Sequence, residues 1–209
     1  MIVYNDVSVT FNNHYLFRNI NLKVNKGDKV LVYGKSGIGK SVLFKMLLGF
    51  ILPKEGEVYF DNKLLNSKNV WNVRKKIAYV SQGVDIGSVA VIDLINTIFS
   101  YKANSHLLLA SSPLIQLLYD FELTEETLTK NLSDLSGGER QRIAIILAIL
   151  LGRDVFLLDE VTAALDSNLK NKVINLFIGN PNWTVLIISH DKDWLENKQI
   201  KVFNLEEYQ

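Results

Sequence analysis

The chain has 209 residues, of which 48% are hydrophobic, and its formal net charge is +1. These values fit one globular domain with a hydrophobic core, and the scattered basic residues predict no nucleic-acid partner. Without cysteine the chain has neither disulfides nor thiolate metal sites, which favours a cytoplasmic location. The longest apolar run, Ile143–Leu151, is shorter than the ~20 residues of a membrane-spanning helix, so we do not expect the chain to cross a bilayer by itself.

The first half of the chain alternates short apolar runs with turn signals. We predict strands at Ile2–Thr10, Ile20–Val24 and Lys29–Tyr33, followed by a helix over residues 42–48. A hairpin is expected over residues 56–65, and a further strand over Ile77–Val80.

A different character follows. Val89–Phe99 and Pro113–Tyr119 have helical patterns, and no strand is predicted before Val155. We therefore expect a helical subdomain at about residues 83–134, inserted into a core formed by residues 1–82 and 135–209.

The last part of the chain predicts one long helix and two buried strands. The helix is predicted over Gly137–Leu151. Ser136 precedes its first turn and Glu139 follows three residues later, which is the spacing of a capping box. The apolar runs Val155–Leu158 and Val185–Ile188 are typical of strands buried on both faces. The predicted fold class is α/β, with a mostly parallel core sheet, an antiparallel β portion and the helical insertion.

Residues Gly34–Ser41 (GKSGIGKS) match the phosphate-binding pattern G-x-x-x-x-G-K-[ST] between a predicted strand and a predicted helix. Such a loop directs backbone N–H groups at phosphate oxygens, so we predict a nucleotide-binding P-loop, as in P-loop NTPases. A glycine-rich turn without a ligand is the alternative. The expected contacts are the loop residues Gly34, Ser36, Gly37 and Gly39, with Lys40 reaching the β- and γ-phosphates and Ser41 reaching Mg²⁺.

About a hundred residues later, Leu135–Glu139 (LSGGE) resembles the signature of ATP-binding cassette (ABC) ATPases. The resemblance covers essentially the full chain. It implies that Ser136 and Gly138 contact a nucleotide held by the P-loop of a partner, so that two chains enclose two ATP molecules. The partner would be a second copy of this chain, in a homodimer, or a homologous cassette.

The segment Asp154–Glu160 (DVFLLDE) is similar to the Walker B segment of that family, in which a buried strand ends in two acids. The resemblance implies that Asp159 orients the Mg²⁺ shell. Glu160 would polarise the water that attacks the γ-phosphate. Taken alone, the two acids could instead form a solvated turn or a helix N-terminus.

Three further positions match family motifs. Gln82 matches the Q-loop glutamine, which reaches Mg²⁺ or the attacking water, and His190 matches the switch histidine that contacts the γ-phosphate. Asp166 matches the D-loop aspartate that meets the opposite subunit, although Ala163 stands where the family more often has serine. Asp166 could alternatively begin the next helix.

Adenine should stack on an aromatic ring near the end of an early strand. Phe11 aligns with the family's A-loop tyrosine and is the first candidate, with Tyr15 as the alternative. Stacking on Phe11 would lack a phenolic hydrogen bond, which predicts weak base selectivity and acceptance of GTP.

The resemblance implies an ATPase subunit that powers separate integral membrane subunits of a transporter from the inner face of the cell membrane. Val84, Ile86 and Val89 are candidates for the docking surface. Leu128–Leu135 and Ser189–Asp193 are similar to small ATPases of the Fet-type iron exporter family, and other short cassettes share much of this pattern. The alternatives are a soluble ABC protein of translation or DNA maintenance and a P-loop kinase.

Overall fold

Two β-sheets organise the chain in the computed structural model, which describes residues 1–83 and 87–209. The described residues form nine strands: β1 Ile2–Phe11, β2 His14–Val24, β3 Lys29–Tyr33, β4 Glu55–Phe60, β5 Lys63–Leu64, β6 Ile77–Val80, β7 Val155–Asp159, β8 Thr184–Ile188 and β9 Lys201–Asn204. They also form seven α-helices: α1 Lys40–Leu47, α2 Val70–Arg74, α3 Val91–Ser100, α4 Ser111–Asp120, α5 Gly137–Leu150, α6 Ser167–Gly179 and α7 Lys192–Leu195. Short 3₁₀ helices lie at 125–129, 132–134 and 205–208.

The central sheet has five parallel strands in the order β6-β7-β8-β3-β9. Every residue of β7 and β8 is buried, as their continuous apolar runs predicted. Because the strands are parallel, their carboxyl ends lie at one edge, where open α/β sheets bind ligands.

The second sheet is antiparallel, in the order β2-β1-β4-β5. Its first hairpin turns at Asn12 and Asn13, which both have positive φ angles, 50° and 65°. Asparagine tolerates this conformation, and two such residues match the twist of a hairpin. Strand β2 therefore begins at His14 and not at Ile20 as predicted, because this turn pairs the whole segment with β1.

Two apolar cores lie on opposite faces of the central sheet, because successive side chains of a strand alternate in direction. Phe156 and Leu158 of β7 belong to one core, which also contains Ile146 of α5 and the buried side chains of α3 and α4. Leu157 belongs to the other, with α1 and the antiparallel sheet. The sheet thus holds the P-loop helix and the helical segment on its two sides.

Helices α3 and α4 lie within two residues of the predicted Val89–Phe99 and Pro113–Tyr119. The candidate docking residue Val89 is exposed, while Val84 and Ile86 lie outside the described residues. No helix within residues 1–83 and 87–209 is long and apolar enough to cross a membrane. The predicted fold class is confirmed.

Candidate functional site

The P-loop connects the end of β3 to the start of α1. Gly39 has φ of 106°, and a Cβ atom at this position would lie 2.5 Å from the Leu16 side chain, so only glycine fits. No side chain among the described residues caps the N-terminus of α1. Lys40 and Ser41 at the start of this helix line a cleft, where the helix N-terminus favours an anion.

Lys40 is buried at the first position of α1. Its Nζ donates to the carbonyl oxygens of Gly34 at 2.7 Å and Lys35 at 2.9 Å, and lies 3.2 Å from Nε2 of His190. Burial lowers the pKa of Lys40, and the carboxylates of Glu160 and Asp159 oppose this shift. The ammonium group closes the loop on itself and sits where a phosphate could replace the carbonyl oxygens.

Asp159 ends β7 and is buried, next to Tyr79 of the neighbouring strand β6. The Tyr79 hydroxyl donates to Oδ2 of Asp159 at 3.3 Å. Burial, reinforced by Asp159, raises the pKa of Tyr79 to about 12, so the hydroxyl stays protonated as a donor. Sequence reasoning missed Tyr79, because only the pairing of β6 with β7 brings it to Asp159.

Glu160 follows β7 with φ of 53°, a left-handed conformation that is uncommon for a residue with a side chain. Its N–H donates to the carbonyl oxygen of Ile188 on β8 at 2.8 Å, which holds this conformation. Its Oε1 lies 3.6 Å from Nε2 of His190. Burial raises the pKa of Glu160, while His190 and Lys40 act in the opposite direction. A half-buried carboxylate with a raised pKa is a stronger proton acceptor than an ordinary one.

One open cleft at the carboxyl edge of the central sheet gathers most of the predicted site residues. Its lining includes Ser36, Gly37, Gly39, Lys40, Ser41, Gln82, Asp159, Glu160 and His190. Ser41, Gln82 and Asp159 contribute oxygen ligands of the kind that Mg²⁺ prefers. In the part of the chain that the structure describes, no group of three His, Cys, Asp or Glu side chains could hold a metal ion. Mg²⁺ usually binds through one or two carboxylates together with phosphate and water oxygens, so Ser41, Gln82 and Asp159 fit part of its ligand set.

The signature segment begins α5 and has the predicted capping box. The Ser136 N–H donates to Oε2 of Glu139 at 2.8 Å, and the Glu139 N–H donates to Oγ of Ser136 at 3.2 Å. These bonds lower the pKa of Glu139. A Cβ atom at Gly138 would lie 2.8 Å from the carbonyl oxygen of Ala164, so the 163–166 segment packs against the start of α5. Within the described residues, neither Ser136 nor Gly138 lines the cleft of its own chain.

Asp166 is the N-cap of α6. Its Oδ1 accepts from the N–H groups of Asn168 at 2.9 Å and Leu169 at 3.0 Å. Asp166 thus begins a helix, as the alternative predicted, and its contact with an opposite subunit stays a prediction. The residue is also exposed, beside the segment that packs on Gly138.

The two aromatic candidates for adenine differ in their surroundings. Phe11 ends β1 with 71% of its surface exposed. The Tyr15 ring is covered by Arg18, 3.9 Å from the ring centroid, and by Lys54 at 4.5 Å. Its hydroxyl donates to Glu55 at 3.0 Å. Phe11 thus presents the more accessible ring for stacking.

A partly buried network beside the cleft was also missed by sequence reasoning. Trp194 Nε1 donates to Oγ1 of Thr162 at 3.1 Å, and Thr162 donates to Oδ2 of Asp191 at 3.3 Å. Asp191 also pairs with Lys170 at 2.7 Å. These contacts tie the residue after His190 to the segment after Glu160.

Comparison with known proteins agrees with this arrangement. The family model described as ABC transporter matches residues 17–163. The chain is 34% identical over 196 residues to the probable iron export ATP-binding protein FetA of Escherichia coli, covering 91% of this chain and 84% of that protein. It is 32% identical over 209 residues to the ergothioneine transport ATP-binding protein EgtV of Helicobacter pylori, covering 98% and 97%.

Among solved structures, the dimeric post-hydrolysis state of the ATP-binding cassette MJ0796, bound to ADP and Pi, matches with a TM-score of 0.77 and 27% identity. The match covers 92% of this chain and 89% of that one. The family model covers the P-loop, the signature and the two acids after β7, and the relatives match nearly the whole chain. This chain belongs to the ABC transporter family and is one of its ATP-binding subunits, an ATPase.

Proposed function

We propose that two cassettes, each with this chain's cleft, close around two ATP molecules and that the cycle of closing and opening powers transport through separate membrane subunits. The observation that supports this most strongly is the position of the signature. Ser136 and Gly138 start a helix whose residues do not line the chain's own cleft, as far as the described residues extend. A partner must supply these groups to the nucleotide.

Within one chain, the backbone of Gly34, Ser36, Gly37 and Gly39 and the Lys40 ammonium group would hold the phosphates. Phe11 would stack on the base. The oxygens of Ser41, Gln82 and Asp159 would hold Mg²⁺, which neutralises charge on the β- and γ-phosphates when bound. Tyr79 would keep the Asp159 carboxylate oriented toward the cleft.

For hydrolysis, Glu160 would accept the proton of the water whose oxygen attacks the γ-phosphorus as the bond to the β–γ bridging oxygen breaks. Its raised pKa and its position 3.6 Å from His190 suit this role. Lys40 and His190 would stabilise charge on the γ-phosphoryl oxygens. Gln82, which lines the same cleft, would help to orient this water.

In the closed pair, Ser136 and Gly138 would donate to the partner's nucleotide and Asp166 would lie near the partner's P-loop. Loss of the γ-phosphate would remove contacts made only in this state and shift the equilibrium toward opening. The segment of about residues 83–134, between core parts 1–82 and 135–209, would pass this movement to the membrane subunits. Val89 is the described residue of the proposed docking surface.

The relatives support the transport role through their names, which assign them to iron export and ergothioneine transport. The two differ in cargo while their identity to this chain is similar. The cassette therefore does not determine what is carried, and iron export is not part of the proposal. The cassette would work at the inner face of the membrane, where ATP is available.

The transport role is tested by purifying the tagged chain from gently solubilised membranes of its own cells. We expect a membrane-spanning subunit in stoichiometric amount and an ATPase rate that changes when that subunit is reconstituted in vesicles. If only ribosomal or DNA-associated proteins co-purify with the chain, the result would instead favour a soluble ABC protein of translation or DNA maintenance.

A further inference from the structure

A carboxylate near the end of the chain contacts the P-loop from outside the cleft. Oε1 of Glu206 accepts a hydrogen bond from the backbone N–H of Lys35 at 2.9 Å, although 171 positions separate the two residues. A Cβ atom at Gly34 would lie 3.5 Å from Cγ of Glu206, so the side chain also packs on the first residue of the loop. We infer that Glu206 is a positioning residue that fixes the Gly34–Lys35 turn of the P-loop for nucleotide binding.

The carboxylate is held in place by the fold. Leu205 is fully buried, and the Phe203 and Tyr208 rings stack with centroids 5.3 Å apart. The Glu206 N–H donates to Oδ1 of Asn204 at 3.2 Å. These contacts hold the backbone at Glu206 beside the P-loop, so less conformational entropy is lost when its side chain binds there.

The Gly34–Lys35 turn is held from two sides. From inside the cleft, the Lys40 ammonium group donates hydrogen bonds to both carbonyl oxygens of this turn. From outside, Glu206 binds the N–H of the same turn. The inner and outer contacts therefore fix opposite polar groups of one short piece of backbone.

The two contacts differ in what nucleotide does to them. This step rests on the proposed function, in which Lys40 binds the β- and γ-phosphates. When the Lys40 ammonium group moves toward phosphate, its bonds to the Gly34 and Lys35 carbonyl oxygens weaken. The hydrogen bond to Glu206 then keeps this turn in its binding geometry. Without this bond the segment would be less restrained, and ordering it around the nucleotide would cost conformational entropy, which lowers affinity.

The test compares three full-length variants by steady-state hydrolysis of Mg·ATP and by titration with a fluorescent ATP analogue. Glu206→Ala removes the acceptor, whereas Glu206→Gln keeps an oxygen acceptor without the charge. Glu207→Ala is the matched control, because this neighbouring carboxylate accepts only from Asn204 among the described contacts. Should the alanine variant not fold, Glu206→Asp replaces it, since the shorter side chain withdraws the carboxylate by one methylene.

We expect Glu206→Ala to raise KM and the analogue Kd by about fivefold to tenfold, the effect of one lost hydrogen bond, with kcat within about twofold of wild type. Glu206→Gln and Glu207→Ala should stay within about twofold of wild type in both constants. Equal affinity of Glu206→Ala and wild type, or an equal loss in the glutamine or control variant, would overturn the inference. A wild-type chain that neither binds nor hydrolyses ATP would contradict the proposed function instead.

Discussion

The N-termini of α1 and α5 are both proposed to bind phosphate, yet they are built differently. At α1 no side chain in the described range caps the helix, and a glycine with positive φ opens it toward the cleft. At α5 the reciprocal bonds of Ser136 and Glu139 satisfy two backbone N–H groups within the chain. The first helix end is left open to a ligand, while the second is stable without one.

This difference assigns separate tasks to the two ends. An uncapped helix start gains most from a bound anion, so α1 can bind nucleotide in a single chain. A capped start needs no ligand for stability. In the cap the Ser136 oxygen accepts a hydrogen bond, so its O–H hydrogen is still available to donate to a ligand. It therefore suits a contact that forms and breaks as two chains close and open.

The largest expected effect separates binding from turnover. Glu160→Gln should lower kcat by about 10²- to 10⁴-fold, because the amide cannot take a proton from water. ATP affinity should change by less than about threefold, since the binding contacts of the α1 end are intact. Single-turnover hydrolysis and analogue titration measure the two constants.

The exposed carboxylate of Glu126 provides the matched control, and Glu126→Gln should behave as wild type. Retention of more than a tenth of the wild-type rate in Glu160→Gln would exclude Glu160 as the proton acceptor.

Removing the cation of the α1 end should weaken nucleotide binding by the single chain. Lys40→Ala is expected to weaken nucleotide binding by about 10- to 100-fold, the cost of losing hydrogen bonds from a charged donor. Lys45→Ala changes an exposed lysine of the same helix and should leave the Kd unchanged. Equal Kd values for the two variants would remove the phosphate role from Lys40.

Changing the α5 end should affect stability and pairing but not binding by one chain. Ser136→Ala is expected to lower the free energy of unfolding by about 1 kcal/mol through loss of the cap. Urea unfolding measures this change, with the exposed Ser133→Ala as control. The analogue Kd of the single chain should not move, and a clear weakening would place Ser136 in its own chain's site.

The smallest effect is a displaced pH profile. Burial raises the pKa of Glu160, and turnover needs the deprotonated form, so kcat should rise with pH through a value above the usual range of a carboxyl group. Initial rates at saturating Mg·ATP between pH 4.5 and 8, with separate checks that the chain remains folded, give this limb. If the acid limb of the kcat profile has the pKa of an ordinary carboxyl group, the inferred effect of burial on Glu160 is contradicted.

The sequence predicted most of the central sheet. Ile77–Val80 and Lys29–Tyr33 were found with the predicted bounds, because buried parallel strands are continuous apolar runs between turn signals. Strand β9 and helices α2 and α7 were missed, and the start of α6 was given only as the alternative for Asp166. The sequence of β9, KVFN, mixes polar and apolar residues at an exposed edge, and α2 is only five residues long, so neither gives a clear period.

In the candidate site, too, features with a local sequence pattern were predicted and those without one were missed. Gly34–Ser41 and Asp154–Glu160 were recognised because their chemistry depends on closely spaced residues. The contacts of Tyr79 with Asp159 and of Glu206 with Lys35 join residues 80 and 171 positions apart. They depend on strand order and on the path of the last segment, which no local pattern encodes.

The most direct test of a shared site is the mass of Glu160→Gln in solution, measured by gel filtration with light scattering with and without Mg·ATP. We predict the mass of one chain without nucleotide and of two chains with it, and a weaker shift when Ser136→Ala is added. A mass of one chain at saturating Mg·ATP, with nucleotide bound, would contradict the account.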